Sequence, residues 1–379
     1  MQQRNHFSER TDQPTGSENT RLAIIVSHPI QYYTPVFKLL STKIQLKVFY
    51  TAKNYNIIKF DKAFQKKVEW DIPMLEGYES DFIGQKHLIR RINSYNPNCL
   101  LVYGWAKLAH LFILAYYHRK IKITFRGDSN LLNKSSALKN VLRKVVLKWI
   151  YMKVDYAFYV GTLNKLYFLK YGLKEQQLIF APHAIENERF ARKQINQSKK
   201  IRSDLQISED KIVILYAGKL DVNKNVCLLL EAFIELNLSN LHLIIAGSGL
   251  LQNVLRSRAK QIKNVHFIDF QNQTEMPALY QACDLFCLPS KSESWGLSIN
   301  EAMAAGKAIL VSDKVGAAVD LVTRTNGRIF KSDNVEDLKL HLQQMTHDRD
   351  FLKLAGTSSE KTIENWTIET QVEKIFRCL

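Results

Sequence analysis

Short apolar runs of strand length recur along the chain, each followed by a polar turn and then by apolar residues at helical spacing. In the first half these runs are Leu22-Ala23-Ile24-Ile25-Val26, Gln45 to Tyr50, Leu100 to Tyr103 and Lys122 to Phe125. In the second half they are Ile212 to Ala217, Leu241 to Gly247, Leu285 to Leu288 and Ala308 to Val311. Apolar runs that do not alternate with polar residues belong to strands covered on both faces, and such strands separated by helices build parallel sheets. The pattern therefore predicts an α/β protein. At 379 residues it predicts two Rossmann-like domains facing a cleft. Residues 1–20 read as a disordered tail, 21–195 as the first domain and 196–360 as the second. Polar residues from Glu186 to Arg202 form the expected hinge. Helices are expected near Lys86 to Tyr95 and over Ser135 to Lys153. The latter has an apolar face from Leu138 to Met152 for which core packing is the first expectation and a membrane surface the second.

The opening Met1 to Thr20 has no apolar h-region, and no apolar segment approaches the roughly 20 residues that span a bilayer. Five cysteines, an odd number, suit a reducing compartment. The expected location is thus cytoplasmic, with peripheral attachment to the inner face of the cytoplasmic membrane as an extension. The net charge of +17 is unevenly spread: residues 1–190 hold 29 Lys and Arg against 14 Asp and Glu, the remainder 24 against 22. Between Phe82 and Val154, 14 cations face a single acid, Asp128. Such a field attracts anionic headgroups or a diphosphate-bearing acceptor. Nucleic acid would also answer to it, but no nucleic-acid module is present.

The chemistry concentrates around Pro289 to Gly306. The strand Leu285 to Leu288 enters a polar turn, and Leu297 to Ala305 reads as a helix stopped by Gly306. The unpaired amides at the start of such a helix suit a phosphate, which places Ser294, Trp295, Gly296 and Leu297 at a donor site. Glu293 precedes the helix and Glu301 lies two turns on, so one carboxylate can reach a sugar beyond the phosphate and the other a ribose before it. After the strand Ile212 to Ala217 come Gly218 and two cations, Lys219 and Lys224, which suit a departing diphosphate. Arg126 and Asp128 follow the strand Lys122 to Phe125 at another sheet end, where Arg126 suits a phosphate or an acceptor hydroxyl, Asp128 suits a hydrogen bond from the acceptor, and a pair that only fixes the loop is the alternative. Asp348-Arg349-Asp350 lies in a helical tail and reads as a solvated turn rather than a metal site.

Glu293 and Glu301 with seven residues between them, Pro289-Ser290 ahead, Gly296-Leu297 inside and Ala302-Met303-Ala304-Ala305-Gly306 after them resemble the signature of retaining glycosyltransferases of family 4, whose fold is GT-B. The run His28-Pro29-Ile30-Gln31-Tyr32-Tyr33 resembles a bacterial subset of that family. There Asp61, Phe64, Trp70-Asp71-Ile72-Pro73 and Gly77-Tyr78 also have counterparts. The resemblance implies a C-terminal helix, residues 361–379, crossing back onto the first domain. It also implies transfer of a hexose or N-acetylhexosamine from a nucleotide diphosphate sugar, most simply UDP-linked, to a saccharide or lipid-diphosphate-linked saccharide. Glu301 would bind ribose, Glu293 the transferred sugar, and Lys219 and Lys224 the diphosphate, with Gly218 beside it and no metal or other cofactor. His28 and Gln31 would contact acceptor or donor. Departures are Arg126 where a histidine is usual, Lys219 for Arg, and Asn225 for Gly. A sugar-nucleotide epimerase and a catalytically silent scaffold share the architecture and stay open.

Overall fold

A computed structural model describes residues 19–52, 59–61, 66–132 and 137–379. Most of the expected tail, Phe64 and the first positions of the helix expected from Ser135 lie outside the described residues. The first half runs β1 (Arg21–Val26), α1 (Thr34–Ser41), β2 (Gln45–Tyr50), β3 (Lys59–Asp61), β4 (Lys66–Val68), β5 (Glu79–Phe82), α2 (Gln85–Tyr95), β6 (Cys99–Tyr103), α3 (Leu108–Tyr117), β7 (Lys122–Arg126), α4 (Ala137–Tyr151), β8 (Tyr156–Tyr159), α5 (Thr162–Lys170) and β9 (Leu178–Phe180). The second runs α6 (Asn187–Ala191), α7 (Ile195–Asp204), β10 (Ile212–Ala217), α8 (Val226–Leu236), β11 (Leu241–Ala246), α9 (Gln252–Arg258), β12 (Val265–Ile268), α10 (Met276–Gln281), β13 (Leu285–Leu288), α11 (Leu297–Ala304), β14 (Ala308–Ser312), α12 (Ala318–Leu321), β15 (Gly327–Phe330), α13 (Val335–Thr346), α14 (Arg349–Ile363) and α15 (Ile368–Cys378).

Two separate parallel sheets result, ordered β5-β2-β1-β6-β7-β8-β9 and β12-β11-β10-β13-β14-β15, with β3 and β4 as an antiparallel ribbon. In each sheet the strand order reverses once. In the first the reversal falls between β1 and β6, where Leu22 pairs with Cys99; in the second it falls between β10 and β13, where Ile214 pairs with Leu285. Helices that follow strands on opposite sides of such a point cross to opposite faces, which opens a crevice at the strands' carboxyl ends. The loops after β1, β10 and β13 therefore hold most of the residues singled out by sequence.

The C-terminal helix α15 leaves the second lobe and packs on α1. Val372 and Ile375 are fully buried with Leu22, Ile24, Val36 and Leu40, each such side chain contributing about 1.5–3 kcal/mol of burial. Thr367 caps it, accepting from the Thr370 N–H at 3.1 Å, and Lys122 donates to the Cys378 and Leu379 carbonyls at 3.2 and 3.0 Å. The polar stretch expected as a hinge is instead α6 and α7, packed against α10 and α11 of the second lobe. Phe190, fully buried there beside Tyr280, is the apolar anchor within that otherwise polar stretch. The crossing itself lies upstream, just after β9.

Helix α4 departs from its expected burial. Leu147, Ile150 and Tyr151 reach the core, but Val141, Leu142, Val145, Trp149 and Met152 stand exposed. The helix is apolar on more of its circumference than one sheet can cover.

Between the lobes, Trp295 and Trp366 pack at a centroid distance of 5.2 Å, and the His183 ring lies 6.2 Å from Trp295 and 6.4 Å from Tyr33. Burial, with the Arg126 cation adding to it, lowers His183 to about 3, so the ring is neutral in the native chain. The unfolded chain takes up a proton there near pH 6.5 and the native chain does not. This contribution to stability is complete above about pH 6.5 and is lost as pH falls toward 3. From about pH 7.5 to 5.5, it should cost about 1.4 kcal/mol. Urea unfolding of His183→Asn at both pH values should show a decrease smaller by that amount than in the parent chain. An identical decrease would refute the assignment.

Candidate active site

Loop geometry brings together residues from both lobes. At the end of β10, Gly218 has a φ of +155° and Lys219 follows, partly buried; the Lys219 carbonyl accepts from the Tyr216 phenol at 2.6 Å. Asp221 takes the Lys224 N–H at 3.0 Å, and Asn225, with φ 53° and ψ 37°, ends the loop in the left-handed region. That conformation explains why the resemblance places glycine here and why asparagine can replace it. The Asn225 amide also donates to Asp333 at 3.1 Å.

The loop after β13 runs alongside. Its Lys291 N–H donates to the Asn223 carbonyl at 2.7 Å, joining the two loops by backbone. Glu293 is held in a short parallel bridge, its N–H on the Lys314 carbonyl at 3.0 Å and its carbonyl taking the Gly316 N–H at 3.1 Å. From these fixed backbones the Lys224 ammonium and the Glu293 carboxylate form an ion pair. Gly296 then turns the chain into α11 with φ +100°. A Cβ there would lie 3.1 Å from both Leu288 and Val315, so strain and crowding both require glycine. The Ile299 N–H donates to the Gly296 carbonyl at 2.9 Å, which leaves the amides of Leu297 and Ser298 as the first-turn donors without intrahelical acceptors.

Glu301 sits one turn inside α11, 3% exposed, with each carboxylate oxygen occupied: Tyr32 of the first lobe donates at 2.9 Å and Tyr280 of α10 at 2.7 Å. Burial raises the Glu301 carboxyl, opposed by those two hydrogen bonds and by Arg189. Both phenols are themselves pushed far up by burial and by the adjoining carboxylate, so they remain donors at neutral pH.

From the first lobe, Asp128 accepts from the Ser294 hydroxyl at 3.0 Å. Asn130 donates to the carbonyls of Glu293 and Ser294 at 3.1 and 2.9 Å. His28 is exposed, with Ser27 2.8 Å from its Nδ1. It shares with Gln31 the loop from which Tyr32 crosses to Glu301.

One expected ligand is placed otherwise, and of Trp295, expected to serve through its backbone, the side chain lies elsewhere. Arg126 is 2% exposed and donates from Nη1 and Nη2 to the carbonyls of Ala181 and Pro182 at 2.9 and 3.0 Å. It fastens the chain after β9 rather than facing a phosphate or an acceptor hydroxyl. The Trp295 indole is 3% exposed, turned away from the cleft into the interlobe wall, where its Nε1 donates to Asn300 at 3.0 Å.

Other interlobe contacts had no role assigned from sequence, although Asp71 lies in a run that the resemblance singles out. Asp71 accepts from the N–H groups of Gln273 and Thr274 at 3.0 and 3.1 Å, and Asp320 from the Thr162 N–H and hydroxyl. Tyr32 could have been suspected as an aromatic residue with a polar tip in a sheet-end loop, but its acceptor is 269 residues away.

Residues 197–365 match the family model described as glycosyl transferases group 1. The chain is 24% identical over 368 residues to an uncharacterized glycosyltransferase of Methanocaldococcus jannaschii, covering 92% of this chain and 84% of that protein. It is 24% identical over 295 residues to the N,N'-diacetylbacillosaminyl-diphospho-undecaprenol alpha-1,3-N-acetylgalactosaminyltransferase of Campylobacter jejuni, covering 77% and 74%. A match to a second M. jannaschii glycosyltransferase, 28% identical over 167 residues, spans only 43% of that relative's length. Among solved structures, Anabaena Alr3699/HepE in complex with UDP and glucose superposes with a TM-score of 0.73 at 14% identity, covering 94% of this chain and 98% of that one. Residues 197–365 thus resemble the group 1 glycosyl transferases, and the chain as a whole has the GT-B fold.

Proposed function

We propose that this chain is a retaining glycosyltransferase that moves a hexose or N-acetylhexosamine from a UDP-sugar to a saccharide carried on a lipid diphosphate, on the cytoplasmic side of the membrane. The observation that carries the reading is the Lys224–Glu293 ion pair, fixed by two joined loops at the second sheet's switch point beside Lys219 and the start of α11. The resemblance to family 4 supports retention. The UDP bound by HepE and the diphospho-undecaprenol acceptor in the C. jejuni relative's name support donor and acceptor class.

The donor diphosphate lies against the α11 amides, between Lys219 and Lys224. Its charge draws the Lys224 ammonium off Glu293, which frees that carboxylate for the hydroxyls of the transferred sugar. Glu301 takes the ribose hydroxyls, exchanging the Tyr32 phenol for them. The anomeric C–O bond to the β-phosphate breaks while the acceptor oxygen bonds to the same face of the anomeric carbon. The acceptor proton passes to the departing phosphate oxygen, so diphosphate leaves with the proton and no base of the first lobe takes part. Charge grows on the phosphate as the bond breaks, and fixed cations stabilise it without reorganising. The two lysines supply the positive charge a divalent ion would bring, so no metal is needed. Closure of the lobes keeps water from the donor.

Released UDP, measured with a panel of UDP-sugars and lipid-linked saccharides, tests this. Lys224→Ala should lower kcat/KM by about 10²–10³, the loss seen when one preorganised donor to a developing anion is removed. Glu293→Ala should lower kcat comparably, and EDTA should leave the parent rate unchanged. Unaltered turnover in both variants would remove the assignment, and a new sugar nucleotide formed without acceptor would show an epimerase instead.

Tyr32→Phe removes a competitor for Glu301. It should lower the donor KM by roughly twofold to tenfold, the worth of one hydrogen bond, with kcat little changed. A raised KM would show that the phenol contacts the donor rather than holding its place.

A further inference from the structure

We propose that the outward faces of α3 and α4 form a docking surface for an anionic lipid bilayer. The inference rests on the proposed lipid-linked acceptor for its purpose, but not for its physical basis. On α4, Val141, Leu142, Val145 and Trp149, with Met152 directly after its last turn, are 62%, 65%, 63%, 44% and 61% exposed. At about 100° per residue they form one stripe on the side opposite Leu147, Ile150 and Tyr151, which face the sheet. By the same spacing Lys144 and Lys148 border one edge of the stripe and Lys153 the other. On α3, Leu108, Phe112 and Tyr116, spaced by four, are 68%, 57% and 37% exposed, opposite the buried Ile113, Leu114 and Tyr117.

The two helices are consecutive in a right-handed parallel crossover and share one buried cluster on one face of the first sheet, so their exposed stripes look outward on the same side of the lobe. Exposed apolar stripes of this extent on one side of a lobe mark an interaction site.

Charge decides the occupant. Lys107, Arg119 and Lys120 flank the α3 stripe, and from residue 83 to 154 Asp128 is the one acid. A second copy of the chain would bring like charge against like charge. An anionic headgroup layer would instead be complementary, each lysine or arginine near it adding to binding. The aromatic residues carry the matching signature: the Lys120 ammonium lies 3.5 Å from the Tyr116 ring centre and that of Lys153 4.2 Å from Trp149, an aromatic body with a cation beside it as found at the headgroup level. Among the described residues no helix is long and apolar enough to cross a membrane, so the chain would lie on the bilayer. Both helices begin at the carboxyl ends of their preceding strands, the edge on which Asp128 and Asn130 meet the second lobe. A docked lobe would thereby hold the cleft next to the lipid surface.

Flotation of the full chain with vesicles of phosphatidylcholine alone, and of phosphatidylcholine mixed with phosphatidylglycerol, tests the surface. Calorimetric UDP binding serves as the independent control. The chain should float with the mixed vesicles and not with the neutral ones, and added salt should release part of it. Val145→Asp combined with Trp149→Ser should reduce binding to mixed vesicles by at least roughly tenfold while UDP affinity stays unchanged. Equal flotation with both vesicles, flotation of the variant like the parent, or a dimer in buffer that the variant dissociates would overturn the proposal. Loss of UDP binding by the parent chain would instead strike the proposed function and leave the lipid readout standing.

Discussion

A cation and a carboxylate facing each other across two backbones that cannot drift apart are the constraint on which the site depends. Lys224 and Glu293 come from different strands, yet the Lys291–Asn223 backbone hydrogen bond and the Glu293–Val315 bridge fix the loops that carry them. Because the backbone is held, only side chains need move when a diphosphate arrives. The same charges that stabilise one another without ligand become, once separated, an anion site and a sugar site. Asn130 and Asp128 extend this frame to the first lobe, so the lobes meet at the residues proposed for chemistry.

The parallel sheets were legible because strands covered on both faces leave uninterrupted apolar runs, and such runs admit few other architectures. The start of α11 was legible for a similar reason: glycine before an amphipathic stretch signals a sharp entry into a helix, and Gly296 makes that entry. Asn225 shows how a departure from a family pattern can keep the same backbone, since asparagine tolerates the left-handed turn that glycine usually supplies.

What the sequence concealed was the direction of side chains. Arg126 stands at a sheet end, where ligands bind, but two backbone carbonyls after β9 claim its guanidinium. Trp295 occupies the donor loop, but its large ring finds Trp366 rather than solvent. Apolar spacing in α4 matched a core helix, because periodicity reports that a face is apolar without saying what covers it. The stretch from Glu186 to Arg202 looked like a linker since its few apolar residues, Phe190 among them, are diluted by polar neighbours.

The chain passes between lobes twice, once after β9 and once before α15, and the two passages touch. Ile185 bridges to Thr367, and the Asn187 amide donates to the Ile363 carbonyl at 3.0 Å. Two tethers fastened at one place leave a body few ways to swing. Any opening of the second lobe must turn about that junction, beside which Trp366 lies, with the far rim of the crevice sweeping the longest arc. Sliding would pull that bridge apart, so the motion left to the lobe is a swing, like the cover of a book sewn at its spine.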